Sequence, residues 1–262
     1  IVFLHALFTH DFSFKVVADT SSRSLPTFYL ITAWWGSQAG SLLLWVTILA
    51  VFGLLGLRST RAALGELQPW MAMVLALIAG FFLVLLVVPA SPFVTQPAPE
   101  DGLGLNPALQ NPYMALHPPS LYLGYVGLAI PFALAMAAML AGRTDARWVV
   151  ASRRWTLAAW GFLGIGMLLG AHWAYEEVGW GGFWAWDPVE NAALMPWLVA
   201  TAFLHSVMVQ ERKGMLKVWN IALIAGAFAL SIFGTFLTRS GILSSIHAFV
   251  ADRKSTRLNS SH

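Results

Sequence analysis

Six stretches of the sequence are long and apolar enough to cross a membrane, and they constrain the fold more than any other feature. Each runs for 16 to 21 residues without an Asp, Glu, Lys or Arg; they are Ser41–Leu57, Pro69–Val88, Ser120–Leu140, Trp155–Gly170, Asn191–Val209 and Val218–Leu237. A transmembrane helix needs about 20 apolar residues, because unpaired backbone groups cannot be left in hydrocarbon. Charged residues form 10% of the chain, whereas soluble proteins average about 25%. The sequence therefore predicts an all-α polytopic integral membrane protein, with about six full transmembrane helices plus part of one in residues 1–8.

Lys and Arg are distributed unequally between the two sides that these spans define. One side has nine, namely Arg58, Arg61, Arg143, Arg147, Arg153, Arg154, Arg212, Lys213 and Lys217. The other side has three before residue 253, namely Lys15, Arg23 and Arg239. Because cytoplasmic loops are enriched in Lys and Arg, loops 9–40, 90–119 and 172–190 and the segment after Leu237 are predicted to be extracytoplasmic.

Composition also limits the chemistry and the boundaries of the chain. It contains no cysteine, which excludes disulfides, iron–sulfur clusters and thiolate metal sites and leaves any thiol to a partner. The net charge of +3 is small and scattered, so nucleic acid is not an expected partner. Residues 1–251 are interpreted as a partial membrane domain of a longer protein, with the abruptly polar residues 252–262 as a non-native or artefactual tail.

The extracytoplasmic segment 172–197 is unusually rich in aromatic residues. Six of the 14 residues 173–186 are aromatic, and the tryptophans among them are Trp173, Trp180, Trp184 and Trp186. Burying one indole contributes roughly 4–6 kcal/mol at ~25 cal/mol per Å², so four are not expected in water. An interfacial aromatic belt is one explanation, although it needs only a ring or two at a helix end. The other is a loop that walls a site for a large, flat, apolar ligand such as haem, with Asp187 at its rim or at the start of the next helix.

Haem requires axial ligands, and histidine is a common one. His117 and His247 are predicted on the same side of the membrane as the Trp-rich loop, and the alternative for each is a solvated loop histidine. Pro118 and Pro119 are expected to hold His117 in an extended conformation and to begin the next span at Ser120.

Two further polar residues are candidates for contact with haem. His205 lies inside the span 191–209, and an ionisable residue at membrane depth is a functional candidate; the alternative is a neutral ring bonded to the carbonyl of residue 201. Arg239 lies just outside a span, eight residues before His247. It is a candidate partner for a haem propionate and, equally, for a lipid headgroup.

Several motifs together resemble one known family. The stretch W-G-G-F-W-A-W-D-P-V-E-N, residues 180–191, is similar to the WWD motif of the haem-handling proteins of cytochrome c assembly. The sequences L-H-P-P-S-L-Y around His117, A-F-L-H-S around His205 and T-R-S-G-I-L-S-S-I-H ending at His247 narrow the resemblance. They resemble the CcmF family of haem-lyase subunits of System I cytochrome c maturation, within the WWD group that includes CycK, NrfE and CcsA. The resemblance covers nearly all of residues 1–252, as a truncated fragment.

The resemblance implies a haem lyase subunit that acts in a complex in the bacterial inner membrane, with the WWD loop on the periplasmic side. It implies that His117 and His247 ligate a substrate haem b at this loop, which is attached through thioether bonds to the CxxCH thiols of apocytochrome c. His205 is implied to ligate a second haem b in the membrane, whose other ligand is absent from this fragment. The implied partners are a haem chaperone of CcmE type, a CcmH-type thiol partner, apocytochrome c, the lipid bilayer and quinol.

Two other functions are compatible with the residues. A haem transmembrane transporter or exporter needs a polar or broken-helix route through the spans, and His205 and Pro196 are the interruptions that the sequence offers. A quinol-oxidising cytochrome b subunit stacks histidine pairs along neighbouring spans, and here one such histidine is found.

Overall fold

The computed structural model describes residues 1–178 and 182–242, and this part of the chain is helical. Its ten α-helices are α1 Val2–Phe8, α2 Lys15–Thr20, α3 Thr27–Trp35, α4 Gln38–Thr60, α5 Gln68–Val87, α6 Pro112–Gly127, α7 Ala129–Leu140, α8 Arg147–Glu177, α9 Pro188–Lys213 and α10 Lys217–Ser240. Short 3₁₀ turns, Gly65–Leu67 and Pro107–Leu109, precede α5 and α6. In the described part, six segments are long and apolar enough to span a membrane: α4, α5 with its 3₁₀ turn, α6 with α7, α8, α9 and α10. The predicted all-α, multi-span membrane fold with about six full spans is confirmed.

The long helices extend beyond the predicted spans, and this matters at the Trp-rich segment. Helix α8 has 31 residues, about 46 Å at 1.5 Å per residue, whereas the hydrocarbon core is about 30 Å thick. It includes His172 and ends at Glu177, and α9 begins at Pro188. The predicted loop bounds 172–197 are therefore wrong. Helix α8 continues past residue 172 because no Gly or Pro interrupts the chain between Gly170 and residue 179. We call residues 178–187 the Trp-rich connection; the structure describes 178 and 182–187 of it.

Pro196 does not break α9, although it removes one backbone hydrogen bond. The N–H that proline lacks would bond the carbonyl four residues earlier, at Ala192. Gly234 of α10 lies beside this carbonyl, and a Cβ on Gly234 would come within 3.2 Å of the Ala192 oxygen. The close approach of α10 keeps the released carbonyl away from lipid, where an unpaired oxygen is costly.

Three loops rich in Lys and Arg meet at one end of the bundle, which we call the basic end. Arg147 bonds Glu66 at 2.7 Å and Asp145 at 3.0 Å. Arg153 bonds Glu211 at 2.9 Å, which joins α8 to α9. Hydrogen bonds from Arg147 hold the pKa of the Asp145 carboxyl below its ordinary value. Ion pairs therefore link neighbouring elements on the side where the sequence concentrates its cations.

At the opposite end, residues 1–36 and the segment between α5 and α6 form a small second core. Its buried side chains include Phe3, Leu7, Phe12, Val17 and Leu105. Backbone hydrogen bonds join the two segments, from Lys15 to Val94 at 2.9 Å and from Leu103 to Ala18 at 2.7 Å. Leu109 packs against both this core and the main core of the bundle, so the two cores are joined just before α6.

Helices α6 and α8 pack closely because each presents glycine to the other. A Cβ on Gly124 of α6 would come within 2.9 Å of the Leu163 backbone nitrogen, and one on Gly166 of α8 within 3.0 Å of the Leu121 nitrogen. Gly166 and Gly170 are four residues apart on α8, a spacing of small residues that lets membrane helices approach closely. This crossing brings the His117 end of α6 against the end of α8 that leads into the Trp-rich connection.

Candidate functional site

His117 lies inside a helix, and not in the extended segment that the sequence predicts. Helix α6 runs from Pro112 to Gly127 and contains His117, Pro118 and Pro119. The expectation that the prolines begin a span at Ser120 is therefore wrong. The two prolines remove N–H groups at the second turn of α6 but do not end it.

The start of α6 is fixed instead by Asn111. Its Oδ1 accepts hydrogen bonds from the backbone N–H of Tyr113 at 2.9 Å and of Met114 at 3.3 Å. Pro112 follows at the first helical position, where its missing N–H costs nothing. The Asn111 Nδ2 donates to Glu176 Oε2 at 2.8 Å and to Glu177 Oε1 at 3.1 Å. One side chain therefore begins α6 and also joins it to the end of α8.

The ring of His117 is buried between α6 and α8, with 9% of the residue exposed. Its Nδ1 lies 2.6 Å from the Gly166 carbonyl oxygen. Because a carbonyl only accepts, Nδ1 carries the proton, and in the neutral ring Nε2 holds the lone pair that a metal binds. Gly170 makes room for the ring, since a Cβ there would come within 2.6 Å of Nδ1 and 3.0 Å of Nε2. His117 is held as metal-binding histidines usually are, with the second nitrogen fixed by a backbone carbonyl.

A small cavity of about 30 Å³ joins His117 to the Trp-rich connection. Met167 and Gly170 of α8 line it, and so do Trp184 and Glu190 from the connection and the first turn of α9. The volume suits roughly one water molecule, whereas drug-sized ligands occupy about 300 Å³ or more. The structure thus brings together the predicted His117 and Trp184, but a porphyrin fits beside them only if part of the wall moves.

The predicted tryptophans occupy different environments. Trp173 is 3% exposed and donates its indole N–H to the Ala108 carbonyl at 2.8 Å, so it fastens α8 to the turn before α6. Trp184 is half-buried, and its buried indole N–H has no hydrogen-bond partner among the described residues. Trp186 is 70% exposed and has a φ of 58°, a conformation that is rare for a bulky residue. Trp180 lies outside the described residues.

Asp187 is the N-cap of α9. Its Oδ2 accepts from the Val189 N–H at 3.0 Å, while Glu190 Oε2 accepts from the N–H groups of Asp187 at 3.2 Å and Ala185 at 3.0 Å. The Asp187 side chain also accepts from the Glu190 N–H, which completes a capping box and confirms the predicted helix start at Asp187-Pro188. The contact of Asp187 with haem stays a prediction, and the capping box fixes the end of the connection beside the cavity.

His205 lies on an exposed face of α9, within the membrane span. Its Nδ1 is 2.8 Å from the Thr201 carbonyl oxygen, which is the carbonyl contact that the sequence offers as the alternative to a haem role. The same bond places the proton on Nδ1 and leaves Nε2 as the nitrogen able to bind a metal. His247 lies outside the described residues, so its pairing with His117 stays a prediction.

Arg239 is directed into the helix bundle. It lies in the last turn of α10, and its guanidinium donates to Ser41 Oγ at 2.9 Å, to the Tyr122 hydroxyl at 3.2 Å and to the Thr235 carbonyl at 3.2 Å. It therefore joins α10 to α4 and α6. This inward position differs from that of a headgroup anchor, and contact with a propionate stays a prediction.

The sequence interpretation missed two residues that build the site. Asn111 could have been found from the Asn-Pro pair, which is typical of an N-cap followed by proline at the first helical position. Gly170 could have been found from its spacing of four residues from Gly166. Neither signal indicates by itself that these residues orient His117.

The fold and the site together define a multi-span helical membrane protein in which a buried helix histidine faces a tryptophan-rich connection. The sequence model of the Cytochrome C assembly protein family matches residues 35–244. The chain belongs to this family.

Individual relatives agree with this assignment. The cytochrome c-type biogenesis protein ccl1 of Rhodobacter capsulatus is 51% identical over 95% of this chain and 38% of its own length. The cytochrome c-type biogenesis protein CcmF of Pseudomonas aeruginosa is 48% identical over 94% of this chain and 38% of its own length. A solved structure named cytochrome c heme lyase CcmF is 43% identical, covers 91% of this chain and 38% of that chain, and superimposes with a TM-score of 0.74. The chain thus spans less than two fifths of the length of these relatives.

Proposed function

We propose that this chain forms the haem-presenting part of a cytochrome c haem lyase. The single observation that carries the proposal is the cavity in which His117, oriented with Nδ1 on the Gly166 carbonyl, faces Trp184 of the Trp-rich connection. The cytochrome c assembly family and the names of the relatives support the same function. The donor chemistry fits haem, since an imidazole Nε2 suits iron and an indole suits a flat apolar ring.

In this proposal each residue has a defined task. His117 binds the iron of the substrate haem through Nε2, and the hydrogen bond to Gly166 keeps the imidazole in the required tautomer. Trp184 packs on the haem ring. Trp173 holds α8, the helix that leads into the Trp-rich connection, and Asp187 fixes the other end of the connection at α9. Trp180, Trp186 and His247 complete the site from the same side of the membrane, and Arg239 pairs with a propionate.

The reaction is addition of a CxxCH thiol of apocytochrome c across a haem vinyl group. The sulfur forms a bond to one vinyl carbon and the thiol proton passes to the other. The chain supplies no thiol, because it has no cysteine, so both cysteines come from the substrate. Its contribution is to hold haem and thiol together in the reactive orientation, which can account for a large part of a rate enhancement.

We place a second haem b at His205. It would supply electron transfer within the membrane, and His205 would hold it through Nε2 while Thr201 fixes the ring. The complete assembly is proposed to lie in the bacterial inner membrane with the Trp-rich connection on the periplasmic side. Its proposed partners are a CcmE-type haem chaperone, a CcmH-type thiol protein, apocytochrome c and quinol.

The test is cytochrome c maturation by the full-length protein with His117→Ala. We expect loss of covalent haem from the cytochrome in haem-stained gels, with the membrane level of the variant unchanged. His5→Ala is the matched control, since His5 is exposed on α1 and does not line the cavity. Wild-type maturation by His117→Ala would contradict the proposal.

A further inference from the structure

Aromatic rings fasten the Trp-rich connection to the surface of α8. The His172 ring lies 4.0 Å from the Tyr113 ring and 6.2 Å from the Phe183 ring, measured between centroids. Tyr175 stacks on Phe183 at 4.5 Å with the rings 10° from parallel. Because His172 and Tyr175 are three residues apart on α8, they lie on one side of the helix. Phe183 of the connection is thus held by two rings of α8.

The edge of the His172 ring faces an exposed carboxylate. Its Nε2 lies 3.5 Å from Glu176 Oε1, and the other oxygen of Glu176 accepts the hydrogen bond from Asn111. Asn111 is the N-cap of α6, the helix of His117. The His172 ring therefore lies beside the helix end that carries the candidate iron ligand, and its contacts with the Tyr113 and Phe183 rings, which a phenylalanine would keep, hold it there.

Phe183 and His172 both adjoin the cavity along the chain. Phe183 precedes Trp184, which lines the cavity, and His172 follows Gly170 and Ala171, which line it from α8. Phe183 and Trp184 are joined by a single planar peptide unit, so holding the Phe183 ring against α8 restricts where the backbone can place Trp184.

We propose that His172 is a positioning residue for the haem site: with Tyr175 it holds Phe183 against α8 and so sets where Trp184 stands beside His117. The inference rests on the proposed haem-presenting function. His172 acts here as a flat ring, since its contacts with Tyr113 and Phe183 are contacts between rings, and the proposal gives it no part in binding the iron. Phenylalanine at this position should therefore serve, and alanine should not.

The experiment is a titration of the purified full-length protein with hemin, following the part of the absorption change that His117→Ala abolishes. We expect His172→Ala and Phe183→Ala each to weaken this binding about three- to tenfold, the value of one aromatic pair. His172→Phe should bind as the wild type does. Phe28→Ala is the matched control, since Phe28 is 52% exposed, as Phe183 is, and pairs with Tyr29 away from the cavity.

A second measurement separates failure of this inference from failure of the proposed function. Hydrogen exchange of the peptide covering residues 182–187 should be faster in His172→Ala than in wild type or His172→Phe, whether or not haem is present. If wild type shows no His117-dependent haem binding, the proposed function is wrong, and the exchange data alone decide the role of His172. If His172→Ala binds haem and exchanges like wild type, or if His172→Phe is as defective as His172→Ala, the positioning role is wrong.

Discussion

Replacing Gly170 with alanine tests directly how His117 is held. The new Cβ would lie 2.6 Å from Nδ1 and 3.0 Å from Nε2 of the His117 ring, which is inside van der Waals contact. The ring must therefore move, and the bond to the Gly166 carbonyl at 2.6 Å is the contact it loses.

The magnitude follows from three effects. Overpacking a close-packed interior costs about 1–3 kcal/mol, and the lost hydrogen bond adds about 1 kcal/mol. Alanine regains about 1 kcal/mol of helix propensity over glycine. We expect Gly170→Ala to lower the free energy of unfolding by roughly 1–3 kcal/mol in total and to change the His117-dependent haem spectrum.

Gly161→Ala is the matched control, because it makes the same substitution in the same helix. No described atom outside the local helix lies within 4 Å of a Cβ at position 161, so only the propensity gain of up to about 1 kcal/mol remains. Thermal unfolding in detergent measures both variants, and a hemin titration measures the site. If Gly170→Ala is as stable as Gly161→Ala and binds haem with the wild-type spectrum, the described packing of His117 is wrong.

Two further predictions concern the ends of the helices. Asn111→Ala removes the cap of α6 and should lower the free energy of unfolding by about 1–2 kcal/mol and weaken His117-dependent haem binding; an unchanged unfolding midpoint would contradict the capping role. Arg147 lowers the pKa of Asp145 from 3.8, so the stabilisation from Asp145 is present above that pH and is lost as the pH falls through the lowered pKa. Asp145→Asn should therefore reduce stability near neutral pH by less than about 1 kcal/mol, because the pair is exposed, and should have no effect once the pH lies below the lowered pKa; equal effects at both pH values would refute the assignment.

The membrane spans could be predicted because hydropathy directly measures what the hydrocarbon core requires of a span, namely a run of about 20 apolar residues. A run such as Pro69–Val88 must be helical in lipid, since no water is available for its backbone. The start of α9 could also be predicted, because Asp187 and Pro188 are a local capping signal that needs no distant partner.

The end of α8 and the depth of His117 could not be predicted in this way. Hydropathy falls at His172, but helical hydrogen bonds continue through the interface to Glu177, where polar side chains are as well solvated in a helix as in a loop. The burial of His117 depends on Gly166, 49 residues away, and on the crossing of α6 and α8. A pattern read along one segment contains no information on that crossing.

The two halves of the candidate site differ in how firmly they are held, and this difference bears on how a large ligand enters. His117 is fixed by a close helix crossing, and any group larger than hydrogen at Gly170 collides with its ring. Trp184 belongs to a connection that is fastened at Phe183 by exposed rings and at Asp187 by a capping box. Exposed ring pairs contribute only about 0.5–1.5 kcal/mol, far less than disrupting a helix crossing would cost. If a porphyrin binds at His117, the displacement that admits it must therefore occur in the Trp-rich connection. Nε2 of His117 then stays where the crossing of α6 and α8 places it.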